Sequence, residues 1–274
     1  MDLNILSLLP EILAKIFPDI PWKQLINIKL SSRKFNYVTE NYLRYMQKPK
    51  IDEIGFFNDY THNDGIGRIR VTYKILITGA NGFEDISDLK EFFLLPSEID
   101  KLHSFFQKVD LTSLCDVDTS LDNHSEVIRI FSDYYHNPCR IGFLCVTVRN
   151  CGKDVNNTLS FLRKIQNVER LMLDLHFPHI NIPRDFIIPV RNSLKMLDIC
   201  EDNDTAFINP RMIKYIVENN PNLCHYRFEL DNFETYKMVI ETVVKEELSR
   251  SYNGCFHRGI SLFLGISSGE VLSE

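Results

Sequence analysis

Residues 168–175 read VERLMLDL, and residues 194–199 read LKMLDI. In each, an apolar residue is followed by apolar partners three and five positions on, with polar or long side chains between. Successive side chains of a strand point to opposite faces, so this alternation describes a strand with one buried face. Working outward, the spacing recurs as Ile51/Ile54/Phe56, Phe106/Val109/Leu111, Phe143/Val146/Val148, Val168/Leu171/Leu173, Leu194/Leu197/Ile199 and Leu223/Tyr226/Phe228. The middle residues of the last four sets follow at 25, 26 and 29 residues. A fixed period of that length marks a stacked array in which each unit covers its neighbour's apolar face.

The intervening segments have helical periodicity. Ser125 to Tyr135 puts Val127, Ile128, Phe131 and Tyr134 or Tyr135 on one side. Pro210 opens a helix behind Asn209 as its cap, with Met212, Ile213, Ile216 and Val217 as the buried stripe. Asp231-Asn232-Phe233-Glu234 resembles a capping box at the head of the longest helix, which carries Tyr236, Val239, Ile240, Val243, Val244 and Leu248. Strands alternating with helices predict an α/β domain with a parallel sheet over 51–266, followed by a tail, 267–274. Residues 65–83 read as an insertion, with a strand from Arg68 to Ile77 and a turn at Gly79 to Gly82. The periodicity resembles an irregular leucine-rich-repeat solenoid. Only Cys151 meets the Asn/Cys position of such repeats; His176, Asp202 and Asp231 stand there in the others.

Residues 1–48 differ. Glu11 to Phe17 predicts a short helix behind Pro10, which is tolerated at the first helical position. Pro18 stops it. A second helix begins after Pro21 and carries Leu25, Ile26, Ile28 and Leu30, until Ser31 and Ser32 break or bend it. A third runs from Arg33 to about Met46, and Lys48-Pro49-Lys50 ends the unit. Three helices this short bury little and must lean on the rest of the chain or on a partner.

LLPEILAKIFPDIPWKQLINIKLSSRKFNYV, residues 8–38, resembles an F-box. Leu9-Pro10-Glu11, Ile16, Ile20, Leu25, Ile28, Leu30, Ser32-Arg33 and Phe35 stand at the family's spacings, whereas Gln24 replaces the usual Asp and Ser31 a common Val. The resemblance covers about a sixth of the chain. It implies docking on a Skp-type adaptor, and through it on a cullin scaffold, with Leu9, Pro10, Ile16, Leu25 and Leu30 supplying core and adaptor contacts. It further implies a non-catalytic receptor whose repeat domain recruits a protein substrate. Outward positions between the apolar triples are the expected substrate surface: Cys145, Thr147 and Arg149; Arg170, Met172 and Asp174; Met196, Asp198 and Cys200; His225, Arg227 and Glu229. Of these, Arg149, Arg170, Met172, Asp198 and Arg227 are the principal candidates. The competing readings are a repeat scaffold whose N-terminal helices are only a cap, and a hydrolase or transferase on an α/β sheet.

The remaining sequence narrows the classes. The chain is 44% hydrophobic and 25% charged, ordinary for a globular protein with ample core. Net charge is −6, with residues 1–50 at +4 and the remainder at −10. The acidic majority argues against nucleic acid, and the basic N-terminal part suits an acidic protein partner. No apolar run is long enough to span a membrane and no secretory leader is recognisable, so a soluble intracellular protein, cytoplasmic or nuclear, is expected. Seven scattered cysteines without a Cys-x-x-Cys pair predict buried thiols rather than disulfides or zinc. His176 and His179 flank a proline, which precludes a helical metal face. Asp116, Asp118 and Asp122 have Leu121 where a calcium loop needs glycine, and read as a polar loop. No catalytic residue, cofactor or metal is expected.

Overall fold

The computed structural model describes residues 5–60, 67–78, 84–122, 124–136, 140–149, 155–177, 182–201, 205, 207–249 and 261–265. The turn expected at 79–82, the tail, and Cys139, Cys151 and Cys255 lie outside the described residues. The fold is α/β, with ten strands in a mostly parallel sheet and eight α-helices among the described residues. Three helices come first: α1 (Pro10–Ile16), α2 (Trp22–Ser31) and α3 (Arg33–Asn41). The third ends at Asn41, not near Met46, and a single 3-10 turn, Leu43–Tyr45, completes the segment. Ser32 separates α2 from α3 by turning extended, and its hydroxyl accepts from the Lys34 N–H at 3.2 Å.

These helices enclose their own small core of Leu13, Phe17, Leu25, Phe35, Val38 and Met46. Phe17 meets Phe35 edge to face at 5.6 Å between centroids. Trp22 reaches out of this unit to pack on the larger core. The seam beside it holds a cavity of about 360 Å³, bounded by Trp22, Leu25 and Met46 on one side and Tyr73, Ile75 and Phe105 on the other.

The sheet begins with β1 (Ile51–Asp59), β2 (Arg68–Thr78), β3 (Glu84–Ile86) and β4 (Lys90–Leu94). The segment expected as an insertion forms β2, which pairs antiparallel with β1, β3 and β4 and lies within the sheet. After α4 (Lys101–Phe106) come β5 (Asp116–Asp122), α5 (Ser125–Tyr134), β6 (Ile141–Arg149), α6 (Val155–Leu162) and β7 (Val168–Leu175). Then follow β8 (Met196–Glu201), α7 (Pro210–Asn219), β9 (His225–Leu230), α8 (Phe233–Ser249) and β10 (Ser261–Gly265). Strands β5 to β10 are parallel neighbours in chain order, and β1 joins β5 in parallel.

One register governs the buried face. Val117, Leu144, Leu171, Leu197 and Tyr226 stand side by side, at steps of 27, 27, 26 and 29 residues. A second row, Thr119, Val146, Leu173, Ile199 and Phe228, lies beside it, fully buried throughout. This corrects three expectations. Phe106 belongs to α4, and Val109 precedes only an isolated bridge, so the second parallel strand is β5 rather than 106–111. The polar loop expected at 116–122 is that strand, and its triple is Leu114/Val117/Thr119, hidden from an apolar search by a buried threonine. In β6 the triple is Ile141/Leu144/Val146, because Ile141 stands opposite Val168 while Phe143 faces outward opposite Arg170.

Helices cover the buried face, α5 beside α6 and α7 beside α8, with Phe131 against Phe161 at 5.5 Å. Between β7 and β8 the described residues form no helix, contrary to the alternation expected. Pro183 and Pro189 remove backbone donors there, and Phe177, Ile182, Phe186, Ile188 and Val190 fill the core from irregular chain instead. Fully buried Asn220 holds that chain in place. Its Nδ2 donates to the carbonyls of Val190 (2.9 Å) and Ile216 (2.8 Å), while its Oδ1 accepts from the Leu194 N–H at 3.1 Å. Asn209 caps α7 as expected, but α8 is capped by Asn232, which accepts from the Thr235 N–H, rather than by an Asp231 box.

Glu201, at the end of β8, is buried and accepts the Phe207 and Ile208 N–H groups at 3.0 and 2.7 Å. Burial raises its pKa to about 7, against the opposing pull of those two donors. A carboxyl whose folded pKa lies above its unfolded value contributes full stability below the unfolded pKa. It loses that contribution as pH rises from about 4.5 to about 7. Glu201→Gln keeps an acceptor for both N–H groups and has no charge to bury. The stability of the wild type relative to this variant should therefore fall by about 3 kcal/mol between pH 4 and pH 8. Urea midpoints of the two proteins across that range test this; parallel curves would contradict it.

Candidate functional site

Two uncovered surfaces stand out, and neither has the form of a catalytic pocket. The first is on the N-terminal helices. Leu9, at the cap of α1, Ile12 and Ile16 form one stripe at helical spacing, and all three are exposed, beside Leu13 and Phe17, which point into the core. On α2, Leu25 is buried, whereas Ile26 and Leu30, four residues apart, face solvent. Leu30 is 79% exposed and Leu9 is 62% exposed. Pro10 is half-buried at the first helical position. Leu25 is thus a core residue, while Leu9, Ile16 and Leu30 remain outside. Ile12 on α1 and Ile26 on α2, which lines the seam cavity, are also exposed and were absent from the sequence-based set.

The second surface is the sheet face opposite the helices. The strands set its side chains in rows. Gly55, Asp118, Cys145, Met172, Asp198, Arg227 and Phe263 stand in line across seven strands. Glu53, Asp116, Phe143, Arg170, Met196 and His225 form the next row. Phe57, Ser120, Thr147, Asp174, Cys200 and Glu229 form the third. Arg149, Arg170, Met172, Asp198 and Arg227 therefore share one face. Arg149, Arg170 and Arg227 are exposed, and Met172 and Asp198 are half-buried.

The three arginines are not equivalent. Arg149 donates to Asp174 at 2.9 Å. Arg227 lies 3.6 Å from Asp198 and also bonds Glu229, with its guanidinium over the Phe263 ring. Arg170 forms no salt bridge among the described residues, although its charge helps lower the Glu169 carboxyl pKa, and it lies over the outward ring of Phe143, 5.3 Å from its centroid. Burial raises the carboxyl pKa of both Asp118 and Asp198, with Cys145 counteracting it at the first and Arg227 at the second. The β1–β5 end is acid-rich, with Glu53, Asp116, Asp118 and Asp122. Strict alternation of Asp116, Asp118, Ser120 and Asp122 with Val117, Thr119 and Leu121 was the signal that could have placed these acids on the sheet. Gly55 leaves room for its neighbours, because a Cβ would stand 2.5 Å from the Phe57 ring and 2.6 Å from the Thr72 hydroxyl and would force those side chains to shift.

The cysteines divide. Cys145 is buried, Cys200 and Cys224 are half-buried, and Cys115 is exposed, which corrects the uniform burial expected. The contacts of Cys145 are with the Thr147 hydroxyl and Asp118. Among the described residues no helix is long and apolar enough to cross a membrane. No protein-family model, curated protein or solved structure matches this chain.

Burial and the nearby Asp118 push the Cys145 thiol up to about 12. The thiolate is the reactive form of cysteine. Burial and the neighbouring Asp116 raise the Cys115 thiol as well, but Cys115 is exposed. Native protein treated with iodoacetamide at pH 8 should therefore carry label slowly at Cys115 and none at Cys145, with Cys145 labelled only after unfolding. Peptide mass spectrometry reads this directly, and native labelling of Cys145 would place it in a different environment.

Proposed function

We propose that this chain is a non-catalytic substrate receptor of a cullin-based ubiquitin ligase. In this reading α1–α3 are an F-box-like module that docks on a Skp-type adaptor. The strands and helices from Ile51 onward are an irregular leucine-rich-repeat-like solenoid that recruits a protein substrate. The observation that carries the reading is the division of the F-box-matching residues. Leu25 and Phe35 sit in the small core, while Leu9, Ile16 and Leu30 remain outside it. A helical cap would bury those leucines on the sheet. An apolar patch left exposed on a folded unit is instead the mark of a partner site.

The sheet supports the second half. Parallel sheets are normally covered on both faces, yet here one face is apolar and packed while the other is charged and open. Strands following one another in chain order, with helices on one side, are what a stacked strand–helix array produces. On the open face Arg170 is the strongest anchor, since its guanidinium is already oriented by Phe143 and held in no salt bridge.

Leu9→Ala combined with Leu30→Ala should weaken capture of a Skp-type adaptor by at least about tenfold, since both side chains lie outside the core and their loss costs contact rather than folding. Pull-down with purified adaptor measures this, with circular dichroism verifying the fold. Undiminished capture by the double variant would remove the docking assignment. Arg170→Glu with Arg227→Glu should leave adaptor capture intact and abolish recovery of substrate with the complex. Substrate recovered equally well would move recognition away from the open sheet face.

A further inference from the structure

A cleft of about 470 Å³ opens where the end of the helical segment meets the first strands. Its volume is that of a small-molecule site. The chain leaves the last helical turn extended at Met46 (φ −77°, ψ 149°) and joins the sheet at Lys50, which bridges to Asp110. Lys48 and Lys50, two residues apart, both line the cleft, and Arg44 lines it from the turn before, its guanidinium 4.5 Å from the Tyr45 ring centroid. The far wall is Val109, Leu111 and Tyr134.

The cations there outnumber the carboxylates. Elsewhere Lys74 pairs with Glu53, Arg129 with Glu126 and Asp133, and Lys214 with Glu218. Arg44, Lys48 and Lys50 have no carboxylate partner among the described residues. The one carboxylate among the lining residues, Asp110, accepts the Thr112 N–H at 2.8 Å and keeps its charge, so the lining sets three cations against one anion. Three cations gathered on one concavity of a chain with net charge −6 create a local field that attracts anions. The backbone offers no open strand edge for a peptide, because the Ile51 N–H bonds the Asp110 carbonyl and the Asp110 N–H bonds the Pro49 carbonyl, at 2.8 and 2.9 Å.

We propose that this cleft binds a small phosphorylated molecule. Its phosphate oxygens meet Arg44, Lys48 and Lys50, and its remaining part rests on Val109, Leu111 and Tyr134. The proposal is independent of adaptor docking.

Isothermal titration of the full chain with pyrophosphate and with ATP tests it. Both should bind, ATP more tightly because it also covers the apolar wall, and both should weaken as salt rises. Lys48→Gln with Lys50→Gln should weaken ATP by about tenfold or more. Thr112→Glu should do the same by adding a charge at an exposed position of the rim, with every cation left in place. Failure of either probe to bind at millimolar concentration overturns the proposal, as does equal affinity in both variants. An octaglutamate peptide that binds and displaces ATP would overturn it too, by making the cleft a site for acidic protein segments.

Discussion

The structure depends on a lateral constraint, the alignment of two buried rows across the parallel strands. Each row residue lies beside its neighbours on adjoining strands and is buried beneath the helices or irregular chain that cover the face, so it ties several elements together. Full burial of such a side chain contributes about 1.5–3 kcal/mol. Slipping one strand by a single residue would turn its row outward and bring charged side chains inward. That penalty fixes the register of all the strands together. It equally fixes the opposite face, whose rows of charge and aromatic groups are the other half of the same pleat.

The rows explain what could be read from the residues and what could not. From Val168 onward both row positions are apolar in every strand through β9, and the strands were legible. At β5 the second position is Thr119, which is fully buried and whose hydroxyl reaches the Cys145 carbonyl at 3.4 Å. Its cost is reduced locally, so the fold accepts a polar residue that an apolar pattern cannot register. At β6, Phe143 is apolar yet faces outward, held beneath Arg170, and it displaced the apparent triple. A hydrophobic residue outside is ordinary, and a buried polar one is tolerated when bonded. Each exception defeats a one-letter rule without disturbing the register itself. The irregular chain between β7 and β8 was illegible for another reason. It is specified by Asn220 from a distant helix end, a contact that no local spacing contains.

At the N-terminus legibility went the other way. The short helices and their breaks were plain from prolines and serines, but which leucines are core depends on how three helices cross. Leu25 and Leu30 differ by five residues, well over a full helical turn, and end on different sides. Residues drawn from one motif therefore separate into two physical classes. The small core alone is thin, and Trp22 anchors it on the larger one. The helices can thus keep an apolar surface open without relying on it for folding.

That separation has a mechanical consequence for a receptor. The proposed adaptor surface is built on helices, and the proposed substrate surface is built on strands whose side chains are set by backbone register. Arg149 and Arg227 are held by Asp174, Asp198 and Glu229, so the face is arranged before any partner arrives. Side chains already ordered lose little entropy on binding. Sites on rigid elements also hold their geometry better than sites on loops. Between the two surfaces lies the seam where Trp22, Leu25 and Met46 face Tyr73, Ile75 and Phe105, beside the Lys50–Asp110 bridge. The orientation of one surface relative to the other is therefore set at that seam, where apolar contacts and the backbone hydrogen bonds around Pro49, Lys50 and Ile51 bear any force transmitted between partners.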